Sequence, residues 1–188
     1  MLLDANDFPC LQTERLILGR LTVEDASAVF AFRSDPEVQR YNGGALTRIE
    51  EAADLIILFE SGFRERTRIE WGITLRGADE TVIGDFGYAH WSPSHRRAEI
   101  GYCLARGHWR QGIASEALRA IVAFGFQSME LNRIHACPWC ENVASVRLLE
   151  RNGFQQEGVR REEFWDGGAF HDEALYALLR REYRPSLG

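Results

Sequence analysis

CLARGHWRQGIASEALRAIVAFGFQSM, residues Cys103–Met129, decides how the chain folds. An apolar strand end passes through a Trp-Arg-Gln-Gly-Ile-Ala turn into a long amphipathic helix. The first N–H groups of such a helix, from Gln111 to Ser115, lack intrahelical acceptors, and the small side chains around them let a ligand approach closely. Convergent N–H donors at a helix N-terminus make an anion site, here suited to a pyrophosphate, to which the helix dipole adds about 0.3–1 kcal/mol per favourable charge. The turn has neither the GxGxxG spacing of a dinucleotide fold nor the GxxxxGK[ST] of a P-loop. A nucleotide-containing cofactor is therefore expected.

Working outward, residues 15–21 alternate as a strand, and Thr22 can cap a helix over 23–34 that Asp35-Pro36 ends. After a Gly43-Gly44 loop, residues 48–66 carry Ala52, Leu55, Ile56, Phe59 and Phe63 at helical spacing. Residues 69–75 and 82–91 read as an antiparallel hairpin, followed by a strand over 98–104. The helix over 112–128 turns Ile113, Ala117, Leu118, Ile121 and Phe124 inward and Glu116, Arg119 and Gln127 outward. A buried strand over 132–137 comes next, and then a helix capped by Asn142 and stopped at Asn152-Gly153. Strands at 154–159 and 170–178 flank a loop containing Asp166-Gly167-Gly168. One strand–helix–strand crossover among hairpins argues for a mixed α/β sheet.

The turn resembles the pyrophosphate loop [QR]-x-x-G-x-[GA] of the GNAT superfamily of acetyl-coenzyme A dependent N-acetyltransferases. Gly112, Ile113 and Ala114 fill its last three positions, while Trp109 replaces the Gln or Arg of the first. AEIGYCL ahead of it, NRIHA at Asn132–Ala136 and N-x-x-S-x-x-L-L-E-R-N-G-F at Asn142–Phe154 occur in the order of the ribosomal-protein N-terminal acetyltransferase (RimJ/RimL-like) branch, where Trp is common at that first position. TERLILGRLTVEDA near the start, and a final hairpin with Gly167 and Asp172, extend the resemblance over nearly the whole chain. It implies an α/β (α+β) fold: a mixed, mostly antiparallel sheet flanked by helices, with a splayed strand pair forming the cofactor cleft. It also implies acetyl-CoA as cosubstrate, with CoA as product. Pantetheine would pair with the strand end Tyr102, Cys103 and Leu104, the N–H near Leu104 facing the thioester oxygen. Gln111, Gly112, Ile113, Ala114 and Ser115 would hold the pyrophosphate and Asn142 the pantetheine arm. Ser145, one turn beyond Asn142, would be the acid for the departing thiolate, directly, by hydrogen bonding or through water. The implied reaction is acetylation of a protein or peptide N-terminal α-amine by direct attack in a ternary complex. Alternatives are a small-molecule amine acceptor, such as a polyamine, aminoglycoside or amino-acid-like metabolite, and a non-catalytic acyl-CoA sensor.

Acetyl transfer needs a neutral amine and a stabilised oxyanion. Alternation places Glu99 on the strand face of Gly101 and Cys103, where a carboxylate can accept the amine proton; pairing with Arg96 or Arg97 is the plainer alternative. Glu157 and Glu163 are further candidate bases. An α-amine of pKa about 7.7–8.0 is roughly a tenth neutral at pH 7, whereas a lysine of about 10.4 is almost wholly charged, so a modest base suits α-amines.

Composition sets the remaining bounds. At 188 residues, with 45% apolar and 27% charged residues, one domain spanning 1–188 is expected. No 18-residue apolar run is present, and the opening MLLDANDF lacks a signal pattern, which points to the cytoplasm and away from membranes. A net charge of −6 with interspersed Arg disfavours nucleic acid. A homodimer is the assembly considered. Cys137-Pro138-Trp139-Cys140 supports a rival redox reading, but it comes late in the chain, and a zinc site would need two further ligands, of which His135 is one candidate. No metal is expected.

Overall fold

The structure is a computed structural model that describes residues 7–184, so the reading of the first six residues falls outside it. The N-terminal half comprises β1 (Leu11–Gln12), β2 (Leu16–Arg20), α1 (Ala26–Arg33), α2 (Pro36–Gln39), α3 (Ile49–Glu65), β3 (Ile69–Leu75) and β4 (Gly84–Ser92). The remainder comprises β5 (Arg97–Leu104), α4 (Ile113–Gln127), β6 (Arg133–Ala136), α5 (Val143–Arg151), β7 (Gln155–Asp166) and β8 (Ala169–Leu179). The strands form one eight-stranded sheet in the order β1-β2-β3-β4-β5-β6-β8-β7. Every pairing is antiparallel except β5 with β6, which α4 connects.

Helices cover both faces of the central strands, so β3 is buried on both sides at Ile69–Ile73 and shows no polar alternation. On one face Trp71, Phe86, Tyr88, Ile100 and Ile134 pack beneath Ile113, Leu118, Ile121 and Phe126 of α4. The Tyr88 hydroxyl donates to the Ile121 carbonyl (2.9 Å) and fills the space a side chain at Gly125 would need, seating α4 at a fixed height. On the other face Leu21, Val29, Phe32, Ile56, Phe59 and Val82 form a second core with α1 and α3. Each large side chain buried in this way contributes about 1.5–3 kcal/mol.

The cleft arises where β6 leaves β5. Their register runs only through Arg97–Arg133, Ala98–Ile134 and Glu99–His135. Beyond it the chain stays with β8: Ala174 N–H donates to the Pro138 carbonyl and Cys140 N–H to the Asp172 carbonyl, both at 2.9 Å. Residues 100–104 thus keep β4 on one side and face an opening on the other. Ala105 N–H donates to the Ile83 carbonyl just before β4 (2.8 Å), and backbone direction alternates along a strand, so the N–H groups of Leu104 and Tyr102 face that opening.

Several elements differ from the sequence expectations for local reasons. Asp35-Pro36 ends α1 but starts α2, because the Asp35 carboxylate accepts from Glu37 N–H (3.0 Å) with Pro at the first helical position. The helix expected from Val23 opens as a 3-10 turn at Val23–Asp25, where Asp25 accepts from Thr22 N–H (2.8 Å). Glu116 is turned into a contact with Arg15 rather than simply outward. β8 lies within a residue of the expected bounds, but β7 runs seven residues further than expected, to Asp166, because Gly167 (φ 57) and Gly168 (φ 84) make a two-residue turn matched to strand twist.

Candidate active site

The anion loop is made by backbone. Gly112 N-caps α4 with φ 78, a left-handed conformation suited to glycine, and Arg110 before it also has positive φ (60). Glu116 N–H makes the first helical bond, to the Gly112 carbonyl (3.0 Å), which leaves the N–H groups of Ile113, Ala114 and Ser115 without helical acceptors. Ile113 is buried, while Gln111 and Gly112 are exposed. Arg15, just before β2, braces this loop: Nη1 donates to the Gln111 carbonyl (2.9 Å) and Nε to Glu116 Oε2 (2.6 Å). A Cβ on Gly112 would lie 3.3 Å from Arg15 Nη2, so a guanidinium flanks the free N–H groups. Free donors, a helix dipole and this cation together fit the pyrophosphate of a coenzyme A. Sequence reading missed Arg15, whose only signal was its position in TERLILGRL. The Ser115 side chain does other work, accepting from Asn152 (3.1 Å) and Arg119 (2.9 Å) and tying α4 to α5.

Across the opening, the Tyr102 hydroxyl meets Ser145 Oγ at 2.7 Å, which links the free stretch of β5 to α5. Tyr102 stacks on Phe86 (5.2 Å, 26°), and burial pushes its phenol up to about 12. Asn142 Oδ1 accepts from Ser145 N–H (3.1 Å), so it caps α5 and fixes the turn that carries Ser145. Trp109 folds back, its indole N–H donating to the Leu104 carbonyl (2.7 Å), which steadies the end of β5.

On the α1–α3 side of the free strand lies a cavity of about 190 Å³ lined by Arg33, Asn42, Arg68, Glu70, Ala89 and residues 101–103. Asp85 beneath it is fully buried and holds Arg33 in two hydrogen bonds, Nε–Oδ2 2.7 Å and Nη2–Oδ1 2.5 Å. Glu70 makes a looser contact with Arg68 (3.4 Å). Burial, reinforced by the neighbouring Asp85 charge and opposed by Arg68 and Arg33, pushes the Glu70 carboxyl up to about 8. The buried Cys103 thiol, which accepts from Gln39 (3.1 Å), is likewise pushed up to about 12.

Glu99 sits beside the cavity, with Oε2 3.6 Å from His135 Nε2. That contact, stronger than the opposing burial, holds its carboxyl below the ordinary value. Glu157 is engaged by Arg133 (2.7 and 2.5 Å), and Glu163 lies near Arg160 (3.6 Å) on the exposed hairpin. Sequence reading passed over Glu70, Arg33 and Arg68 because Arg33 lies far along the chain from the other two and none belongs to a motif.

The Cys137–Cys140 segment serves as scaffold. Its thiols are free, and burial pushes both up, Cys137 to about 12, whereas a redox-active pair needs a stabilised thiolate. Trp139 between them stacks on His171 (4.3 Å) and meets Tyr41 (5.7 Å) and Phe164 (5.4 Å), joining the loop after α2 to the hairpin. Among the described residues no group of His, Cys, Asp and Glu is arranged to hold a metal ion, and no helix is long and apolar enough to cross a membrane.

Residues 15–155 match the acetyltransferase (GNAT) domain. The chain belongs to the GNAT acetyltransferase family. It is 42% identical over 174 residues to the uncharacterized N-acetyltransferase YoaA of Bacillus subtilis, covering 92% of this chain and 98% of that relative. The ribosomal-protein-serine acetyltransferase of Escherichia coli is 35% identical over 101 residues, 54% of this chain and 56% of that protein. A spermidine N(1)-acetyltransferase of Vibrio cholerae is 30% identical over 106 residues, 56% of this chain and 61% of that protein. In fold, the chain is similar to RimL, a ribosomal L7/L12 α-N-protein acetyltransferase solved with coenzyme A, with TM-score 0.84, 20% identity and coverage of 91% of this chain and 98% of that one. The GNAT chain is an acetyl-CoA-dependent N-acetyltransferase.

Proposed function

We propose that this acetyltransferase modifies the N-terminal α-amine of a protein or peptide. The observation that carries the reading is the cavity lining: Arg33 and Arg68 stand beside one raised carboxyl, Glu70. Asp85 neutralises Arg33, so Glu70 is the one carboxyl left for an ammonium, and the further charges of a polyamine would meet Arg68 in a confined space with no carboxylate to pair with. A peptide N-terminus instead offers one ammonium for Glu70 and nearby carbonyl oxygens for arginine donors. The aromatic contacts of Trp139 with Tyr41, Phe164 and His171 supply an apolar surface near the loop after α2 for the following side chains. One domain working in the cytoplasm is part of the same reading.

Bound acetyl-CoA supplies the activated acetyl group and the thiolate leaving group. The N–H groups of Ile113–Ser115, with Arg15, hold its pyrophosphate, and those of Tyr102 and Leu104 line the opening between β5 and β6. Asn142 orients the start of α5, and the Tyr102–Ser145 hydroxyl pair faces the same opening. A phenol raised to about 12 is a weaker acid than a thiol of about 8.5, so the pair acts mainly by donating a hydrogen bond to the departing sulfur and transfers its own proton only uphill. Acetylation of peptides with free and blocked N-termini, spermidine and an aminoglycoside, followed by thiol release, tests the assignment. Free N-termini are expected to give at least tenfold higher kcat/KM than spermidine, with no turnover once blocked; a preference for spermidine or the aminoglycoside overturns it.

A further inference from the structure

We propose that Glu70 is the group that receives the proton of the acceptor amine, and that the glycine row beside it is the path by which that amine reaches the free edge of β5. The proposal rests on the acetyltransferase reading and not on the choice of acceptor.

The geometry is set by register. Glu70 of β3 is paired with Gly87 of β4, and Gly87 with Gly101 of β5. Direct cross-strand neighbours stand about 4.5–5.5 Å apart, so the three form a row leading from the carboxyl to the strand that faces the cofactor opening. A Cβ on Gly87 would lie 2.7 Å from Glu70 Cδ, so the Glu70 side chain lies over Gly87 and extends along that row. The Cβ position of Gly101 has nothing within 4 Å, and this free space belongs to the cavity. Neither glycine has a positive φ, so their backbones do not demand glycine. At Gly87 the close approach of the Ile69 carbonyl and the Glu70 side chain excludes a Cβ, whereas at Gly101 the absence of a side chain leaves the cavity open.

The surrounding charges leave Glu70 available. Asp85 of β4 is engaged in both oxygens by Arg33 of α1, and Glu99 is turned toward His135. Arg68, leading into β3, makes the 3.4 Å contact with Glu70. Cys103 of β5 and Asn42 complete the polar lining, and on the side away from the cavity Arg20 of β2 and Glu60 of α3 are paired with each other at 2.6 Å. Burial raises the proton affinity of Glu70 into the range of an α-ammonium, about 7.7–8.0, so proton exchange between the two is close to balanced. The amine's proton passes to a Glu70 oxygen, and the nitrogen lone pair forms the C–N bond as the C–S bond breaks. Sulfur leaves with the electron pair and ends as the thiol by taking up the second proton that the nitrogen sheds on becoming an amide. One proton is released to solvent per ammonium acetylated.

The test compares full-chain wild type with Glu70→Gln on whichever amine the wild type turns over, and measures acetyl-CoA binding by calorimetry. Glu70→Gln is expected to bind acetyl-CoA like wild type, to lose about 10²-fold or more in kcat, and to lose the wild-type rise of kcat through about pH 8. That rise must stay in place when the acceptor is exchanged for one of different amine pKa. Should Glu70→Gln fail to bind acetyl-CoA, Glu70→Asp, which keeps an ionisable carboxyl, is expected to retain a pH-dependent rise at lower kcat. Wild-type kcat in Glu70→Gln, a limb that follows the acceptor's own pKa, or a limb absent from Glu70→Asp overturns the proposal. Loss of the limb in Glu99→Gln with its retention in Glu70→Gln assigns the role to Glu99 and overturns it too. A preference for spermidine would sink the peptide reading while leaving the comparison of Glu70 variants intact.

Discussion

The anion loop and the acceptor cavity lie along the same strand–turn–helix unit, but they are built from different materials. The loop, residues 110–115, is contiguous and works through main-chain N–H groups around Gly112. The cavity gathers side chains from α1, the loop after α2, β3 and β5, with its charges balanced in a buried network of Arg33, Asp85, Arg68 and Glu70. A backbone site is fixed once the helix forms. A side-chain site depends on the register of three strands and on buried electrostatics, so its function and its stability are entangled.

The largest expected effect breaks the network. Asp85→Ala leaves the Arg33 guanidinium buried without its carboxylate and should cost about 3–5 kcal/mol in urea denaturation. The milder Asp85→Asn sharpens the point, because it removes a charge that raises Glu70, and the acidic limb of kcat should move to lower pH. The sign follows from linkage: without the neighbouring negative charge, ionised Glu70 is less disfavoured. A limb that stays at about pH 8 in a folded Asp85→Asn would mean that Asp85 does not act on Glu70.

The loop should respond in the opposite manner. Gly112→Asp puts a carboxylate at a φ of 78 beside the free N–H groups of Ile113–Ser115, where it competes with and repels a phosphate. Acetyl-CoA affinity is expected to fall by about 10²-fold, roughly 2.7 kcal/mol, in calorimetric titration. The urea midpoint should fall by much less than for Asp85→Ala, since Gly112 is exposed and Asp tolerates the left-handed region better than most residues. Normal affinity in the folded variant would remove the pyrophosphate from this loop.

The same contrast explains what could be read from the chain. Most elements were legible, because apolar period and punctuation coincide: β3 runs Ile69–Leu75, as its residue pattern predicts, and α5 starts at the Asn142 cap and stops before Gly153. The loop was legible for the same reason, as a run of small residues before a helix. Glu70 was not, since IEWGITL reads only as a strand with one acidic position, and its meaning depends on Gly87 and Gly101 lying in register beside it. Arg15 was hidden likewise, reaching α4 from the turn before β2, about a hundred positions earlier. The long β7–β8 hairpin was underestimated because Arg160–Glu163 is a run of four charged residues and Phe164 and Trp165 are adjacent, and a strand exposed on both faces leaves no alternation to detect.

The smallest expected effect lies where the two regions meet. Tyr102 comes from the strand that borders the cavity, and Ser145 from the helix that Asn142 caps, so their 2.7 Å contact joins the two sides of the cofactor opening. If the pair only closes the structure, Tyr102→Phe and Ser145→Ala should each cost about 0.5–1.5 kcal/mol of stability, couple to each other, and leave kcat near wild type. If it also donates to the leaving sulfur, both variants should lower kcat several-fold while acetyl-CoA affinity holds, and the double variant should be little worse than either single one. The drop stays modest because a phenol raised to about 12 can share its proton with a thiolate but gains nothing by surrendering it. Additive losses in kcat would separate the two hydroxyls and leave Ser145 to act without its partner on β5.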